Sequence, residues 1–228
     1  MREPSEAEIV VAGVGLVADS DGALYWPAQR LLVVADLHLE KGSSFAARGV
    51  LLPPYDTAAT LARIARLTAH YGPRTVVALG DSFHDDDGPA RMAASDHAAL
   101  AALARGRDWI WIAGNHDPDP PGHVGGRFIA VLTIGALTFR HQPTGAQGEV
   151  AGHLHPLARV SAGGRTLRRR CFASDDARLV MPAFGAYAGG LNVRHLAFSR
   201  VFGTLAFTAH MLGAGRLYSI AASSCLRD

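Results

Sequence analysis

The sequence has few cysteines, little net charge and no long apolar run. Its two cysteines, Cys171 and Cys225, form no CxxC pair and no zinc spacing, which fits a reducing compartment. The formal net charge of +2 does not by itself predict a nucleic-acid partner. No apolar run approaches the roughly 20 residues that span a bilayer, and the acidic N-terminus does not fit a signal peptide. We therefore predict a cytoplasmic protein with no membrane partner.

The composition is that of a folded protein with many histidines. Apolar residues make up 49% and charged residues 18% of the 228 residues, which is typical of globular proteins. No internal repeat, low-complexity tract or linker is present, so we predict one domain over residues 1–228. The chain contains eleven histidines, and histidine is the commonest metal ligand. The positions of the histidines therefore bear on function.

Hydrophobic patterning predicts an α/β fold. In the first half, short apolar runs typical of buried strands alternate with segments of helical spacing, after an N-terminal hairpin. The strands are predicted at 8–17, 23–26, 31–35, 75–79 and 109–113, and the helices at 56–70 and 90–104. In the second half, helical periodicity is nearly absent, and strands are predicted at 128–134, 136–140, 149–152, 165–173, 178–181, 204–211 and 216–221. A second, largely antiparallel sheet packed on the first gives αββα layering.

Polar clusters follow several of the predicted strands. A single Asp-x-His or Gly-Asp occurs often by chance, but here such clusters recur in order, each at the end of an apolar run. The ends of strands in open α/β sheets meet in one crevice, so we expect these side chains to converge. The clusters are Asp36-Leu-His38, Gly80-Asp81-Ser-Phe-His84-Asp85, Gly114-Asn115-His116-Asp117, His141 and Gly152-His153-Leu-His155.

The side-chain types in these clusters suit two divalent metal ions. A two-metal site needs a bridging carboxylate, further nitrogen and oxygen ligands, and open positions for water and phosphate. The absence of a thiolate disfavours copper(I) and a closed structural zinc site. The donors suit manganese in the first place, with iron or zinc as alternatives. Spacing alone predicts convergence, without assigning ligands to each ion.

The ordered set of motifs resembles the calcineurin-like metallophosphoesterase superfamily over roughly residues 31–156. This resemblance implies a four-layer αββα sandwich of the metallophosphoesterase type, in which Asp81 bridges two metal ions. It also implies that a metal-activated hydroxide attacks phosphorus in line with the leaving oxygen. The remaining ligands that it implies are Asp36, His38 and His155 for one ion, and Asn115, His141 and His153 for the other.

A narrower resemblance covers nearly the whole chain. The stretches 35–50, 80–86, 152–156 and 181–193 are similar to those of the ligase-associated DNA-damage-response endonucleases of the same superfamily. This resemblance implies a DNA endonuclease or nuclease in DNA repair, with a DNA ligase and a helicase as partners. It also implies a catalytic role for His84, for which a purely structural role is the alternative.

Further residues are predicted to act on the substrate. His116 lies beside Asn115 and is predicted to steady the transition state and protonate the leaving group, or else to support its neighbours. Asp85 and Asp117 are expected to orient imidazoles. Arginines 165, 168, 169 and 170 would bind a nucleic-acid backbone, or would form only a solvated strand edge. Lys41, Phe45 and Arg48 would touch substrate, or would form only the exposed face of a short helix.

Two other functions stay open from the sequence. The same dimetal site would serve a phosphatase or a nucleotide hydrolase. The segment from His141 to Gly152 is too short to contain a large lid, and an open site would admit small phosphates as well as a polymer. A metal-binding adaptor without activity is the third reading, which the complete set of ligand residues disfavours.

Overall fold

The computed structural model describes residues 6–53, 55–118, 124–203 and 205–228. Within these residues, one seven-stranded sheet runs in chain order from β1 to β7. The strands from β1 to β4 pair antiparallel, whereas those from β4 to β7 pair parallel. The strands are β1 (Glu6–Val11), β2 (Val14–Asp19), β3 (Leu24–Trp26), β4 (Leu31–Val34), β5 (Thr75–Leu79), β6 (Asp108–Ile112) and β7 (Arg127–Ile129).

The central strands of this sheet are apolar because both of their faces are covered. Every residue of β4 is buried. One face packs on helices α2 (Asp56–Tyr71) and α4 (Ala94–Ala104), which bury residues such as Leu61, Ile64 and Leu100. The predicted strands at 31–35, 75–79 and 109–113 and the helix at 56–70 are thereby confirmed within a residue.

A nine-stranded mixed sheet packs on the other face of the first sheet. Antiparallel pairing predominates as predicted, but β10 runs parallel to both β9 and β13. The strands are β8 (Leu132–Ile134), β9 (Leu137–Arg140), β10 (Glu149–Ala151), β11 (Pro156–Ala162), β12 (Arg165–Ser174), β13 (Arg178–Val180), β14 (Leu191–Asn192), β15 (Thr208–Leu212) and β16 (Leu217–Ala221).

Helix α5 (Leu196–Phe202) forms the fourth layer. It buries Phe198, Val201 and Phe202 against the outer face of the second sheet. The αββα sandwich is therefore confirmed, although α5 itself was not predicted. Two short helices precede the covering helices in the chain. Helix α1 (Lys41–Ala47) follows β4 and precedes α2, and helix α3 (Gly88–Arg91) follows β5 and precedes α4. No helix in the described part of the chain is both long and apolar enough to cross a membrane.

Several predicted element bounds are wrong. The strand at 8–17 is two strands, because Ala12 and Gly13 turn the chain with positive φ angles. The strand at 128–134 is also two, since β7 ends the first sheet and β8 begins the second. The helix at 90–104 is interrupted, because Met92 and Ala93 adopt extended angles between α3 and α4. Strand β11 was missed. The strand predicted at 204–211 begins instead at Thr208, and residue 204 lies outside the described residues.

Candidate metal centre

The first two candidate ligands, Asp36 and His38, follow β4 directly and are buried. Both have left-handed backbone angles, with φ of 52° and 43°. Such angles are costly for residues other than glycine and are most often retained at functional sites. The backbone amide of His153 donates to both carboxylate oxygens of Asp36 at 3.1 Å. The strained turn therefore holds the Asp36 carboxylate against the segment that carries His153 and His155.

Asp81 follows β5 and lies at the middle of the candidate centre. Its φ is 45°, and its Oδ1 accepts hydrogen bonds from the backbone amides of Asn115 and His116 at 2.9 and 3.0 Å. Gly114 permits this approach, because a Cβ there would lie 2.2 Å from the amide nitrogen of Asp81. The loop after β6 therefore fixes the Asp81 carboxylate, and only glycine fits at position 114 without a rearrangement.

Three side chains form one cluster of ligand atoms. His155 Nε2 lies 3.2 Å from Asp36 Oδ1 and 3.4 Å from His38 Nε2. The ligand atoms of all three residues lie within 4.8 Å of one another. His38 Nε2 is also 4.0 Å from Asp81 Oδ2. A divalent ion at this point would meet two imidazole nitrogens and two carboxylates.

A second cluster lies on the other side of Asp81 and joins it to His141 and His153. The Nδ1–H of His141 donates to the carbonyl oxygen of Leu79 at 3.2 Å, because a carbonyl only accepts. Its Nε2 then faces three atoms with lone pairs, Asn115 Oδ1 at 2.9 Å, His153 Nδ1 at 3.1 Å and Asp81 Oδ1 at 3.3 Å. Nitrogen and oxygen ligand atoms that converge in this way fit a divalent metal ion, although a protonated His141 would also satisfy its neighbours.

The electrostatics of the two clusters agree with that fit. Burial, followed by the charge of His155, lowers the pKa of His38 to about 3, and burial lowers the pKa of His153. Burial alone would raise the pKa of Asp81, but the hydrogen bond and charge of His141 outweigh it, so this pKa lies below its usual range. Neutral imidazole and ionised carboxylate are the forms that bind metal ions. His38, His153 and Asp81 are therefore held in their ligating forms near neutral pH. Burial alone would lower the pKa of His141, but its hydrogen bond to Asp81 and the charge of Asp36 outweigh it, so His141 holds its proton more tightly than a free imidazole.

His116 and His84 lie beside these two clusters, and the ligand atoms of His116, His38 and Asp81 form a third group within 4.8 Å of one another. His116 Nε2 is 3.9 Å from Asp81 Oδ2, and its side chain is 40% exposed. Its Nδ1–H donates to the backbone carbonyl of His84 at 2.9 Å. The two rings stack with centroids 5.3 Å apart. His84 therefore orients His116 through a carbonyl group, a contact that the sequence motif alone did not reveal.

The two aspartates expected to orient imidazoles have other hydrogen-bond partners. Asp117 Oδ2 accepts from the backbone amides of Ser82 and Phe83, and burial raises the pKa of Asp117 to about 6. Asp85 accepts from Arg91 at 2.5 Å. Asp117 therefore fixes the backbone just after Asp81. No hydrogen bond joins either carboxylate to an imidazole among the described residues, and an orienting role for them stays a prediction.

The four arginines of β12 divide into two groups. Arg165, Arg168 and Arg169 are exposed, near the tip of the β11–β12 hairpin. Arg170 is partly buried, and its Nη1 donates to the carbonyl of Ala183 at 2.8 Å. Burial lowers the pKa of Arg170. These contacts favour a structural role for Arg170, in contrast to the three exposed arginines.

Arg63 on α2 supports the centre, although the sequence analysis did not single it out. Its guanidinium stacks on Phe184 at 4.0 Å and donates to the carbonyl of Phe184 at 2.6 Å. The next residue, Gly185, donates its amide to the carbonyl of Asp36 at 3.1 Å. An arginine on an amphipathic helix is usually solvated, so no sequence signal distinguished it.

Comparisons with known proteins identify the family of the chain. Residues 29–170 match the family model described as calcineurin-like phosphoesterase. The crystal structure of Pseudomonas putida nuclease MPE superposes with a TM-score of 0.72 and 30% identity, covering 94% of this chain and 100% of that one. YfcE, a phosphoesterase from E. coli, superposes with a TM-score of 0.42 and 15% identity, covering 84% of this chain and 98% of that one. A search of curated proteins finds no match. The chain thus belongs to the calcineurin-like phosphoesterase family of metal-dependent hydrolases.

Proposed function

We propose that the protein is a two-metal phosphodiesterase that cleaves DNA, as a nuclease in DNA repair. The observation that carries the proposal is the position of Asp81, whose two carboxylate oxygens face different ligand clusters. Oδ1 lies 3.3 Å from His141 Nε2, whereas Oδ2 lies 4.0 Å from His38 Nε2. The similarity to a nuclease over 94% of the chain supports DNA as the substrate class.

Each ion would have its own ligands besides Asp81. Asp36, His38 and His155 would hold one ion, and Asn115, His141 and His153 the other, as the two clusters of ligand atoms indicate. Two divalent ions, which we propose to be manganese, would supply a nucleophile near neutral pH and would neutralise charge on the phosphate oxygens. The protein's own part is to hold these donors in place.

The surroundings of the two clusters leave room for a polymeric substrate. The side chain of His155 is 18% exposed and that of His116 is 40% exposed. A cavity of about 240 Å³ lies beside the second cluster, lined by residues that include Asn115, Arg140 and Gln142. A phosphate group with a nucleoside on either side would reach the centre from this open side.

The proposal is tested by comparing a chromogenic phosphodiester, its monoester and single-stranded DNA in buffer with added manganese. We expect cleavage of the diester and of DNA, with kcat/KM for the diester at least about tenfold above that for the monoester, a difference of roughly 1.4 kcal/mol in transition-state binding. If the protein preferred the monoester and left DNA uncut, a phosphatase or nucleotide hydrolase would replace the nuclease as the proposed function. Bound metal without turnover on any of the three would indicate an adaptor.

The exposed arginines of the β11–β12 hairpin are proposed to bind the DNA backbone. Arg168 stands directly opposite Arg159 in the strand pairing. Like charges in that position are destabilising, which favours a functional reason for keeping them. No acidic residue occurs between Pro156 and Arg170. The hairpin therefore offers uncompensated positive charge to a polyanion.

Replacing Arg165 and Arg168 by alanine should flatten the salt dependence of DNA binding. Each phosphate contact adds about 0.7 to the slope of log affinity against log salt on a single strand, so the slope should fall by about 1.4. The measurement is a fluorescence-anisotropy titration over a range of salt concentrations. The control replaces Arg74 and Arg105. These two exposed arginines lie just before β5 and β6, at the end of the first sheet that is away from the candidate metal centre. Equal slopes for both double variants would discard the hairpin as a DNA contact.

Three features of the proposed biology rest on the sequence alone, the first two on its resemblance and the third on its composition. A role in DNA repair, partnership with a DNA ligase and a helicase, and a cytoplasmic location all remain predictions. Co-purification of the tagged protein with a ligase or helicase from its native cells is the measurement for the partners.

A further inference from the structure

Helix α1 places an aromatic ring and two cations beside the candidate metal centre. The ring of Phe45 lies 5.7 Å from that of His84, which in turn stacks on His116 at 5.3 Å. Lys41 Nζ and the Arg48 guanidinium carbon each lie 5.9 Å from the centre of the Phe45 ring. A continuous row of rings therefore leads from the centre to a surface with two positive charges.

The ammonium group of Lys41 forms no ion pair in the described part of the chain, and Asp56 acts on it only through a longer-range charge interaction. It is partly buried, and burial lowers the pKa of Lys41, with some opposition from the charge of Asp56. No hydrogen bond or ion pair joins Lys41 Nζ to another described residue. A partly buried cation without an acceptor costs stability, so a structural role alone leaves its position unexplained.

The carboxylates nearest in sequence and structure are engaged elsewhere. Glu40 accepts hydrogen bonds from the hydroxyl groups of Ser43 at 2.6 Å and Thr57 at 2.8 Å. Asp56 accepts a hydrogen bond from the backbone amide of Gly42 at 3.0 Å. Because these carboxylates are directed into the fold, the positive charge of Lys41 stays available to an external anion.

Arg48 adds a second available cation on the same face. Its side chain is 64% exposed, its Nη2 donates to the hydroxyl oxygen of Ser44 at 3.0 Å, and a carboxylate oxygen of Asp85 lies 4.0 Å away. An exposed ion pair at that distance contributes little to stability. The face thus combines an aromatic surface with positive charge, which is the chemistry that binds single-stranded nucleic acid.

We propose that the α1 face, formed by Lys41, Phe45 and Arg48, is a nucleotide-binding subsite of the proposed nuclease, on whose function this inference rests. Phe45 stacks on the unpaired base of a nucleotide next to the cleaved phosphate. Lys41 binds a phosphate of the same strand. A base held in a duplex has no free face for Phe45, so the subsite selects single strands.

The test measures the ratio of kcat/KM for a single-stranded oligonucleotide to that for a chromogenic phosphodiester. Replacing Phe45 by leucine keeps an apolar side chain but removes the ring, and should lower this ratio about tenfold, as expected for one lost base stack. Phe45→Trp should restore it. On an oligonucleotide whose residues are all abasic, the Phe45→Leu variant and the wild type should give the same ratio, because no base is present to stack.

Tyr218→Leu is the matched control. Tyr218 carries the guanidinium of Arg216 over its ring at 4.5 Å, on a strand that holds none of the candidate site residues. An unchanged ratio for Phe45→Leu, or an equal fall for Tyr218→Leu, would overturn the subsite. Failure of the wild type to cleave DNA would instead refute the proposed nuclease function, so the two failures are distinguishable.

Lys41→Met supplies an independent readout of the same subsite. Removing one phosphate contact should lower the slope of log affinity against log salt by about 0.7 for single-stranded DNA. Lys41→Arg, which keeps the charge, should restore the slope. A methionine variant that folds, as judged by its thermal melting, and keeps the full slope would show that Lys41 binds no phosphate.

Discussion

Asp81→Asn is expected to reduce metal binding at both sites together and to lower turnover by more than about 10³-fold. Asparagine keeps the shape and one oxygen, so Oδ1 can still accept the amides of Asn115 and His116. The second oxygen becomes an NH₂ group, which donates and cannot ligate a cation. Divalent ions held by Asp81 would supply the nucleophile, so a variant that no longer binds them should lose turnover.

The measurement is elemental analysis of purified protein alongside kinetics on the chromogenic diester. We expect about two divalent ions per chain in the wild type and well below one in the variant. Asp108→Asn is the control, because Asp108 is exposed at the start of β6, at the opposite end of that strand from the loop that contains Asn115. A variant that retains one full equivalent of metal would show that Asp81 serves a single ion.

The convergence of the candidate ligands was predictable because the central strands are short, continuous apolar segments. The runs 31–34 and 76–79 are apolar throughout, so their burial on both faces follows from sequence. Parallel neighbours end at the same edge of a sheet, which brings Asp36 and Asp81 together. The role of each residue remains a prediction, since proximity alone does not assign a ligand to an ion.

The second sheet was less predictable because its pairings depend on long-range contacts. Strand β10 is three residues long and lies between two parallel neighbours, an arrangement that local patterning does not specify. The helix α5 has only seven residues, and its stability comes from packing Phe198 and Phe202 on the sheet. Such short elements form through tertiary packing more than through intrinsic propensity.

The strained backbone of the candidate site was also beyond sequence analysis. Asp36, His38, Asp81, His153 and His155 all have positive φ angles. No sequence pattern predicts that residues other than glycine adopt this conformation, because their intrinsic preference opposes it. The surrounding fold imposes these angles, through contacts such as the donation of the His153 amide to Asp36.

His116→Ala is expected to keep the metal content of the wild type and to lower kcat for DNA on the order of 10²–10⁴-fold, the contribution of general acid–base catalysis. The Nδ1–H of His116 is held by the carbonyl of His84, which directs Nε2 toward the centre. Nε2 lies 3.9 Å from Asp81 Oδ2, close enough to reach a phosphate bound there. A proton on Nε2 would pass to the leaving oxygen of the cleaved ester.

The same variant separates three possible roles of His116. A general acid matters less when the leaving group departs without a proton, so kcat should fall much less for an activated aryl diester than for DNA. His116 also forms a cluster of ligand atoms with His38 and Asp81, so a loss of bound metal in the variant would make it a ligand. An equal fall for both substrates with full metal content would indicate transition-state stabilisation without proton transfer.

The control is His70→Ala, since His70 is 62% exposed and pairs with Glu6, which lies on β1 away from the centre. A decrease of less than about threefold for DNA, well below the usual contribution of an acid, would exclude His116 from catalysis.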